Sequence, residues 1–139
     1  MTGAWHFLPP MLTSRQFDEI IGEALDELPP FFQAKLDNLI ILVEQWPSRR
    51  TLRDVGLGPE MTLLGLYRGI PLTERTQAYN LVPPDTITLY QGPIEQEAAA
   101  GGEGDHLDRV REQVRLTVIH EIAHHFGIDD DRLVELGAY

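Results

Sequence analysis

The sequence predicts an α+β domain in which helices pack on a small three-stranded sheet. Two observations support this: apolar residues follow helical spacing near both ends of the chain, and three strand-like apolar segments lie between them. Such an order of elements is typical of α+β proteins. With 139 residues and an ordinary hydrophobic fraction of 42%, the chain can bury one sizeable core. We therefore expect residues 1–139 to form a single domain.

The first predicted element is an amphipathic helix that Thr13 or Ser14 can cap. Pro29 and Pro30 end this helix, because proline is not tolerated in a helix interior. A short helical piece over "FFQAKLD" is expected next. The apolar residues that give the first helix its periodicity are Phe17, Ile20, Ile21, Ala24, Leu25 and Leu28.

Three segments in the middle of the chain predict strands. The run "NLIILVEQW" is almost continuously apolar, so we expect a strand buried on both faces. Residues 47–61 are rich in proline and glycine and are predicted to be loop with at most one turn of helix. The segments "MTLLGLYRGI" and "DTITLYQGPI" follow as two further strands, and "AAAGGEG" is expected to be a flexible loop.

The C-terminal part predicts a long helix from Asp105 to Phe126, which Gly127 can close in a left-handed conformation. A short helix over "DDRLVELG" is expected after it. The long helix contains the pattern His-Glu-x-x-His, which begins at His120. The C-terminal part is therefore where the candidate chemistry lies.

His120 and His124 are four residues apart, so on a helix they lie about 40° apart in azimuth and about 5.4 Å apart in height. Both imidazoles can therefore reach one ion, and zinc accepts neutral imidazole nitrogen. Glu121 lies on the flank of this face, where it can hydrogen-bond a water on the metal without binding the metal itself. The spacing predicts a zinc site, with Zn²⁺ as cofactor and Glu121 as general base.

A helical wheel places this face away from the core. The two histidines centre near 20°, whereas Ile119, Ile122 and Phe126 fall at about 260°, 200° and 240°. We expect the apolar stripe to pack on the sheet and the histidines to look into a cleft. His125 lies about 120° from the pair, so we expect it to support the site from behind or to lie on the surface.

A third metal ligand is expected after Gly127, where the chain can turn back toward the ion. The candidates are Asp129, Asp130 and Asp131. The spacing after Gly127 favours Asp130, because metzincin-type peptidases carry their third ligand at that position. Asp129 can equally cap the last helix, and Asp131 suits its first turn.

The segment "VRLTVIHEIAHHFGIDDDRLVELG", together with "LLGLYRGIPLTER" and "VPPDTITLYQGPIE", resembles the small zincin-like family of microbial zinc metallopeptidases, described as minimal matrix-metalloproteinase-like domains. The resemblance covers the chain from about Phe17 onward. It implies a minimal zincin-like fold, in which an active-site helix and an N-terminal helix pack on a small mixed sheet. It also implies that a peptide lies along an edge strand.

By this analogy "MTLLGLYRG" is the edge strand that binds substrate, with "ITLYQGPI" as the second choice, since its Pro93 suits an edge. Gly65 and Gly69 would allow a peptide to approach closely. The residues expected to contact substrate are Leu63, Leu64, Gly65, Leu66 and Tyr67.

The function expected from these residues is zinc-dependent hydrolysis of peptide bonds in a peptide or protein substrate, with Glu121 moving the proton. Tyr67, Tyr90 and Arg75 are candidates for stabilising the oxyanion. One alternative is a non-catalytic module in which zinc stabilises the fold and the groove only binds peptide. Another alternative is an acidic helix that binds no metal.

Composition limits the other partners. Acidic residues outnumber basic ones 22 to 11, and the resulting net charge of −11 repels phosphate backbones, so we expect no nucleic-acid partner. No window approaches the about 18 apolar residues of a membrane helix, and "MTGAWHFLPP" lacks the basic and apolar regions of a secretion signal. Cysteine is absent, which excludes disulfides and thiolate ligands. These features favour a cytoplasmic protein and do not indicate an oligomeric state.

Overall fold

The computed structural model describes residues 11–58, 63–69, 84–101 and 104–138. Its first helix, α1 (Ser14–Asp26), begins at a complete capping box, because Thr13 and Gln16 satisfy each other's backbone N–H groups through their side chains. Of the two caps that the sequence offered, Thr13 is the one used, and Ser14 is the first residue of the helix. The further elements are α2 (Pro30–Lys35), β1 (Leu39–Glu44), α3 (Arg49–Asp54), β2 (Gly65–Arg68), β3 (Asp85–Tyr90), α4 (Gln91–Ala99), α5 (His106–Phe126) and α6 (Asp130–Glu135).

The three strands form one mixed sheet in the order β1-β3-β2. Strand β1 runs parallel to β3, with Leu39 opposite Asp85, and β2 runs antiparallel to β3, with Gly65 opposite Leu89. The predicted α+β class and the small three-stranded mixed sheet are confirmed. Among the described strands, β2 lies at an edge of the sheet, as the family resemblance implied for "MTLLGLYRG".

The core lies between the sheet and the two long helices. Helix α1 packs along α5, and both contribute to one continuous cluster with Ile87 and Leu89 of β3. Ile119 and Ile122 of α5 are fully buried there, as the helical wheel predicted. The other residues that α1 and α5 contribute to the cluster include Phe17, Ile20, Ile21, Ala24, Val110, Val114 and Val118, and helices α2, α4 and α6 add Phe32, Ile94, Ala98 and Leu133.

Phe126, the third apolar residue on the wheel, does not belong to the core. Its side chain is 46% exposed, and its ring lies under the ammonium group of Lys35, which is 4.4 Å from the ring centroid. Phe126 is the last residue of α5, directly before the turn at Gly127. The expectation that it packs on the sheet is therefore wrong.

Strand β1 is not buried on both faces, contrary to the prediction from "NLIILVEQW". Leu39 and Ile41 pack against the core, whereas Ile40 and Leu42 are 46% and 45% exposed. Side chains of a strand alternate between its faces, and the core reaches β1 from one face only at these positions. A continuous apolar run does not distinguish this edge strand from a central one.

The segment "DTITLYQGPI" is a strand only to Tyr90, after which the chain enters α4. Pro93 lies in the first turn of that helix, where its missing N–H costs nothing. Strand β3 is moreover the central strand, so the second choice of substrate-binding edge is wrong. Helix α4 also includes the first residues of "AAAGGEG", which was predicted to be loop.

Within the described ranges, none of the helices has the length and apolar character needed to cross a membrane.

Candidate active site

Helix α5 carries the motif in its last two turns and has a specific signal at each end. The Asp105 side chain accepts a hydrogen bond from the N–H of Asp108 at 2.9 Å, which caps the N-terminus. Gly127 ends the helix with φ 66° and ψ 34°, a left-handed conformation that glycine adopts without strain. Both predicted boundaries are confirmed, and the motif therefore lies on regular helix up to the turn.

One ridge of α5, formed by Thr117, Glu121 and His125, faces strand β2. A methyl group on Gly65 would lie 2.8 Å from Cγ2 of Thr117 and 3.6 Å from Cγ of Glu121. The backbone of β2 therefore lies directly on this ridge at Gly65. Gly65 is buried, and its lack of a side chain serves contact between strand and helix. The sequence had suggested that this glycine leaves room for a peptide.

Glu121 is fixed to the strand through its carboxylate. Oε1 accepts a hydrogen bond from the backbone N–H of Tyr67 at 3.0 Å. Partial burial raises the pKa of Glu121 above its ordinary value, while the Tyr67 N–H and the nearby His124 and His120 oppose that rise. A carboxyl group in this environment is a stronger base than an exposed glutamate.

His120 and His124 lie on the ridge next to Glu121, and both side chains are exposed. They are one turn apart on the same face of α5, away from the buried Ile119 and Ile122. Two imidazoles with this spacing are donors that suit zinc, and Glu121 is held against β2 beside them. In donor chemistry the residues on α5 fit a zinc site.

The three aspartates after Gly127 take different positions. Asp129 caps α6, because its Oδ1 accepts a hydrogen bond from the N–H of Arg132 at 2.9 Å. Asp130 and Asp131 lie in the first turn of α6, and both are exposed. Among the described residues, no three His, Asp or Glu side chains lie close enough together to hold a metal ion. Asp130 as third ligand stays a prediction.

His125 takes part in a group of side chains that the sequence did not predict. Its ring stacks on the ring of Tyr67, with centroids 4.0 Å apart and planes at 16°. The Tyr67 hydroxyl donates a hydrogen bond to Oδ2 of Asp85 at 2.6 Å, and Nε2 of His125 lies 3.9 Å from the same oxygen. Asp85 is only 9% exposed. The one sequence signal for it is an acidic residue at the start of a strand-like segment.

The predicted substrate-contacting residues lie along the β2 edge. Leu63 and Leu64 precede the strand, and the Leu64 carbonyl accepts a hydrogen bond from the N–H of Tyr90 at 3.0 Å, so pairing with β3 continues past Gly65. Leu66 and Tyr67 belong to β2 and are partly buried. These five residues as a peptide-binding set stay a prediction.

The structure also shows the surroundings of the two tyrosines that were candidates for stabilising an oxyanion. The Tyr67 hydroxyl is engaged by Asp85. Tyr90 is 1% exposed, and its pKa is raised chiefly by burial and also by Glu44. Arg75 lies outside the described residues. Neither tyrosine hydroxyl is thus presented openly beside Glu121.

Comparison with known proteins identifies the family. The family model described as zincin-like metallopeptidase matches residues 36–138, about three quarters of the chain. No curated protein matches significantly. Among solved structures, a conserved hypothetical protein from Thermus thermophilus shares 23% sequence identity, with a TM-score of 0.45 over 84% of this chain and 100% of the other. The chain belongs to the zincin-like metallopeptidase family.

Proposed function

We propose that this protein hydrolyses peptide bonds with a zinc ion bound by His120, His124 and Asp130, and that Glu121 is the general base. One observation carries the proposal: the Glu121 carboxylate, beside two exposed histidines one helical turn apart, is held by a hydrogen bond to an edge strand. In this proposal the base, the two histidine donors and the strand that pairs with the peptide are neighbours. The family supports a peptidase in general terms.

The proposed metal site would use side chains from both helices that meet at the turn after Gly127. His120 and His124 supply two nitrogen donors from α5, and Asp130 supplies an oxygen donor from α6. When bound, zinc acts as a Lewis acid that makes water more acidic and polarises a carbonyl group. Because Asp130 does not lie close to the histidine pair in this structure, binding through all three requires the turn to adjust.

Glu121 is suited to accept and return a proton. Its Oε1 is occupied by the Tyr67 N–H, and within the described residues its Oε2 takes no hydrogen bond. The carboxylate would take a proton from water and deliver it to the leaving amine. A base with one oxygen anchored and the other available keeps its orientation through both transfers.

Strand β2 would bind the substrate backbone. Tyr67 donates its N–H to Glu121, so the backbone groups of this residue point away from β3. Because Glu121 already takes the Tyr67 N–H, an extended peptide would pair with the outer edge of β2 on either side of this contact. Pairing next to Tyr67 would bring a peptide bond close to Glu121. The expected substrate is therefore an unstructured peptide or protein segment.

A second candidate is the non-catalytic module, in which zinc stabilises the fold and the β2 edge only binds peptide. The two tyrosine hydroxyls favour it, because the Tyr67 hydroxyl is engaged by Asp85 and Tyr90 is buried, so neither stands ready to stabilise an oxyanion. Such a module has no need of a base. Glu121 distinguishes the two candidates.

The test replaces Glu121 by glutamine and measures zinc content together with cleavage of a library of unstructured peptides. We expect Glu121→Gln to keep zinc and to lose at least about a hundredfold in rate, as the loss of a general base does. Glu112→Gln, an exposed change on the same helix, serves as control and should cleave at the wild-type rate. If Glu121→Gln cleaves as fast as wild type, Glu121 is not the base. A wild-type protein that binds zinc and peptide but cleaves nothing would support the module.

A further inference from the structure

Tyr67 connects two sets of contacts. Its backbone N–H binds Glu121 on α5, while its side chain binds Asp85 on β3 and stacks on His125. Glu121 is 54 residues away in sequence and Asp85 is 18. One residue of the edge strand thus joins the proposed base to side chains from two other elements.

Asp85 is a buried carboxylate, and such a group is costly unless it is hydrogen-bonded. The Tyr67 hydroxyl supplies a short bond of 2.6 Å, of the kind expected for O–H donors to charged oxygen. Nε2 of His125 lies 3.9 Å from the same oxygen. Asp85 therefore holds the outer end of the Tyr67 ring.

His125 holds the flat side of the same ring. The two planes differ by only 16°, and the centroids are 4.0 Å apart. Gly69 lies close to both partners of the ring, because a methyl group on it would lie 3.1 Å from Cε1 of His125 and 3.6 Å from Oδ1 of Asp85. The Tyr67 ring is thus held at its hydroxyl by Asp85 and on one face by His125.

The position of Tyr67 affects the orientation of the Glu121 carboxylate. Its hydrogen bond comes from the backbone of Tyr67, so a small displacement of that residue moves the donor and changes the direction of the carboxylate. A misplacement of about 1 Å in a catalytic group can cost a hundredfold in rate. A contact that limits such displacement can influence chemistry without touching the substrate.

We propose that Asp85 and His125 are positioning residues, which hold the Tyr67 side chain so that the Tyr67 backbone N–H keeps Glu121 in its working orientation. This proposal rests on the role of Glu121 as general base. It gives a function to His125, whose ring lies off the histidine pair, and to Asp85, which has no place in the metal site. Neither residue touches the reacting atoms.

Three variants separate these contacts. Tyr67→Phe removes only the hydroxyl that binds Asp85, and His125→Ala removes the stacked ring. His125→Phe keeps a flat ring for stacking and serves as the conservative rescue. Leu107→Ala, an exposed change near the start of the same helix, is the control for general effects on α5.

The first measurement is hydrogen exchange of the residue-67 amide by NMR in the metal-free protein, corrected for the intrinsic rate. We expect protection to fall about tenfold in Tyr67→Phe and His125→Ala, the equivalent of about 1.4 kcal/mol. His125→Phe and Leu107→Ala should stay within about twofold of wild type on the same scale. Unchanged protection in both Tyr67→Phe and His125→Ala would overturn the proposal, whether or not the protein cleaves peptides.

The second measurement uses the zinc-loaded protein. In Tyr67→Phe and His125→Ala we expect kcat to fall about three- to tenfold with KM and zinc content unchanged, because the base acts in the chemical step. His125→Phe should restore kcat. Equal losses in His125→Ala and His125→Phe would overturn positioning by the ring. Wild-type protein that loads zinc but does not cleave would refute the proposed function, and the amide measurement would still decide whether Asp85 and His125 hold Tyr67.

Discussion

Gly65→Ala is a direct test of how closely strand β2 lies on helix α5. The new methyl group would come 2.8 Å from Cγ2 of Thr117, a distance that side-chain carbons do not tolerate without movement. It would also come 3.3 Å from the backbone oxygen of Thr88, which is tight but closer to ordinary contact. Overpacking of this kind costs about 1–3 kcal/mol. We expect Gly65→Ala to lower the free energy of unfolding by about 2 kcal/mol.

The assay is urea unfolding followed by circular dichroism, supported by thermal unfolding. For a domain of this size, about 2 kcal/mol corresponds to a fall in Tm of roughly 6–8 °C. The matched variant is Thr117→Ser, which removes the offending methyl group and keeps the hydroxyl that donates to the Gln113 carbonyl at 2.7 Å. In the double variant we expect at least half of the lost stability to be recovered, because the closest contact is gone. Recovery should be incomplete, because the contact with the Thr88 oxygen remains.

Two results would refute this reasoning. A loss below about 0.5 kcal/mol for Gly65→Ala would mean that the strand does not press on the helix there, because such a value is ordinary for surface changes. A double variant that recovers nothing would mean that the cost arises elsewhere. The contact between β2 and α5 would then not explain how Glu121 is oriented.

The remaining predictions concern the metal site, the helix end and pH. Asp130→Ala should weaken zinc binding at least about tenfold in a chelator competition. Asp129→Ala should chiefly lower stability, because a lost helix cap costs about 1 kcal/mol. Equal zinc affinity in the two variants would contradict the assignment of Asp130. Gly127→Ala should lower the free energy of unfolding by about 1 kcal/mol, because φ is 66° there, and no loss in urea unfolding would exclude that strain. The hydrogen bond and charge of Arg115 hold the pKa of Glu112 below its ordinary value. Its stabilising effect is therefore present above the unfolded pKa and is lost as pH falls through the lower folded value. Urea midpoints of wild type and Glu112→Gln should differ near neutral pH and converge in acid.

The sequence by itself determined the features that depend on neighbours along the chain. The cap of α1, for which the sequence offered Thr13 or Ser14, the start of α5 at Asp105 and its end at Gly127 each rest on residues within one or two helical turns. The histidine pair and Glu121 are fixed in relative position by helical geometry alone. For these features, local spacing carries enough information, which is why they were predicted correctly.

Helix α4 shows where local information fails. Its start at Gln91 follows a strand without a capping side chain, and Pro93 and Gly92 resemble turn residues. Gly92 packs under the ring of Trp46, where a methyl group would lie 2.4 Å from a ring carbon. The N–H of Gly92 also donates to the carbonyl of Gln45 at 2.9 Å. The start of this helix is therefore in contact with Gln45 and Trp46, which are far from it in sequence. No pattern of neighbouring residues could have indicated these contacts.

Only the tertiary structure decided which residues surround the histidine pair. Strand β2 meets Glu121 across 54 residues of sequence, and Asp85 reaches Tyr67 only because β2 and β3 pair in one register. A shift of one residue would turn every side chain of β2 to the opposite face and separate these groups. The motif thus fixes the donors on one helix, while strand pairing and the close fit of Gly65 on Thr117 set the orientation of the proposed base.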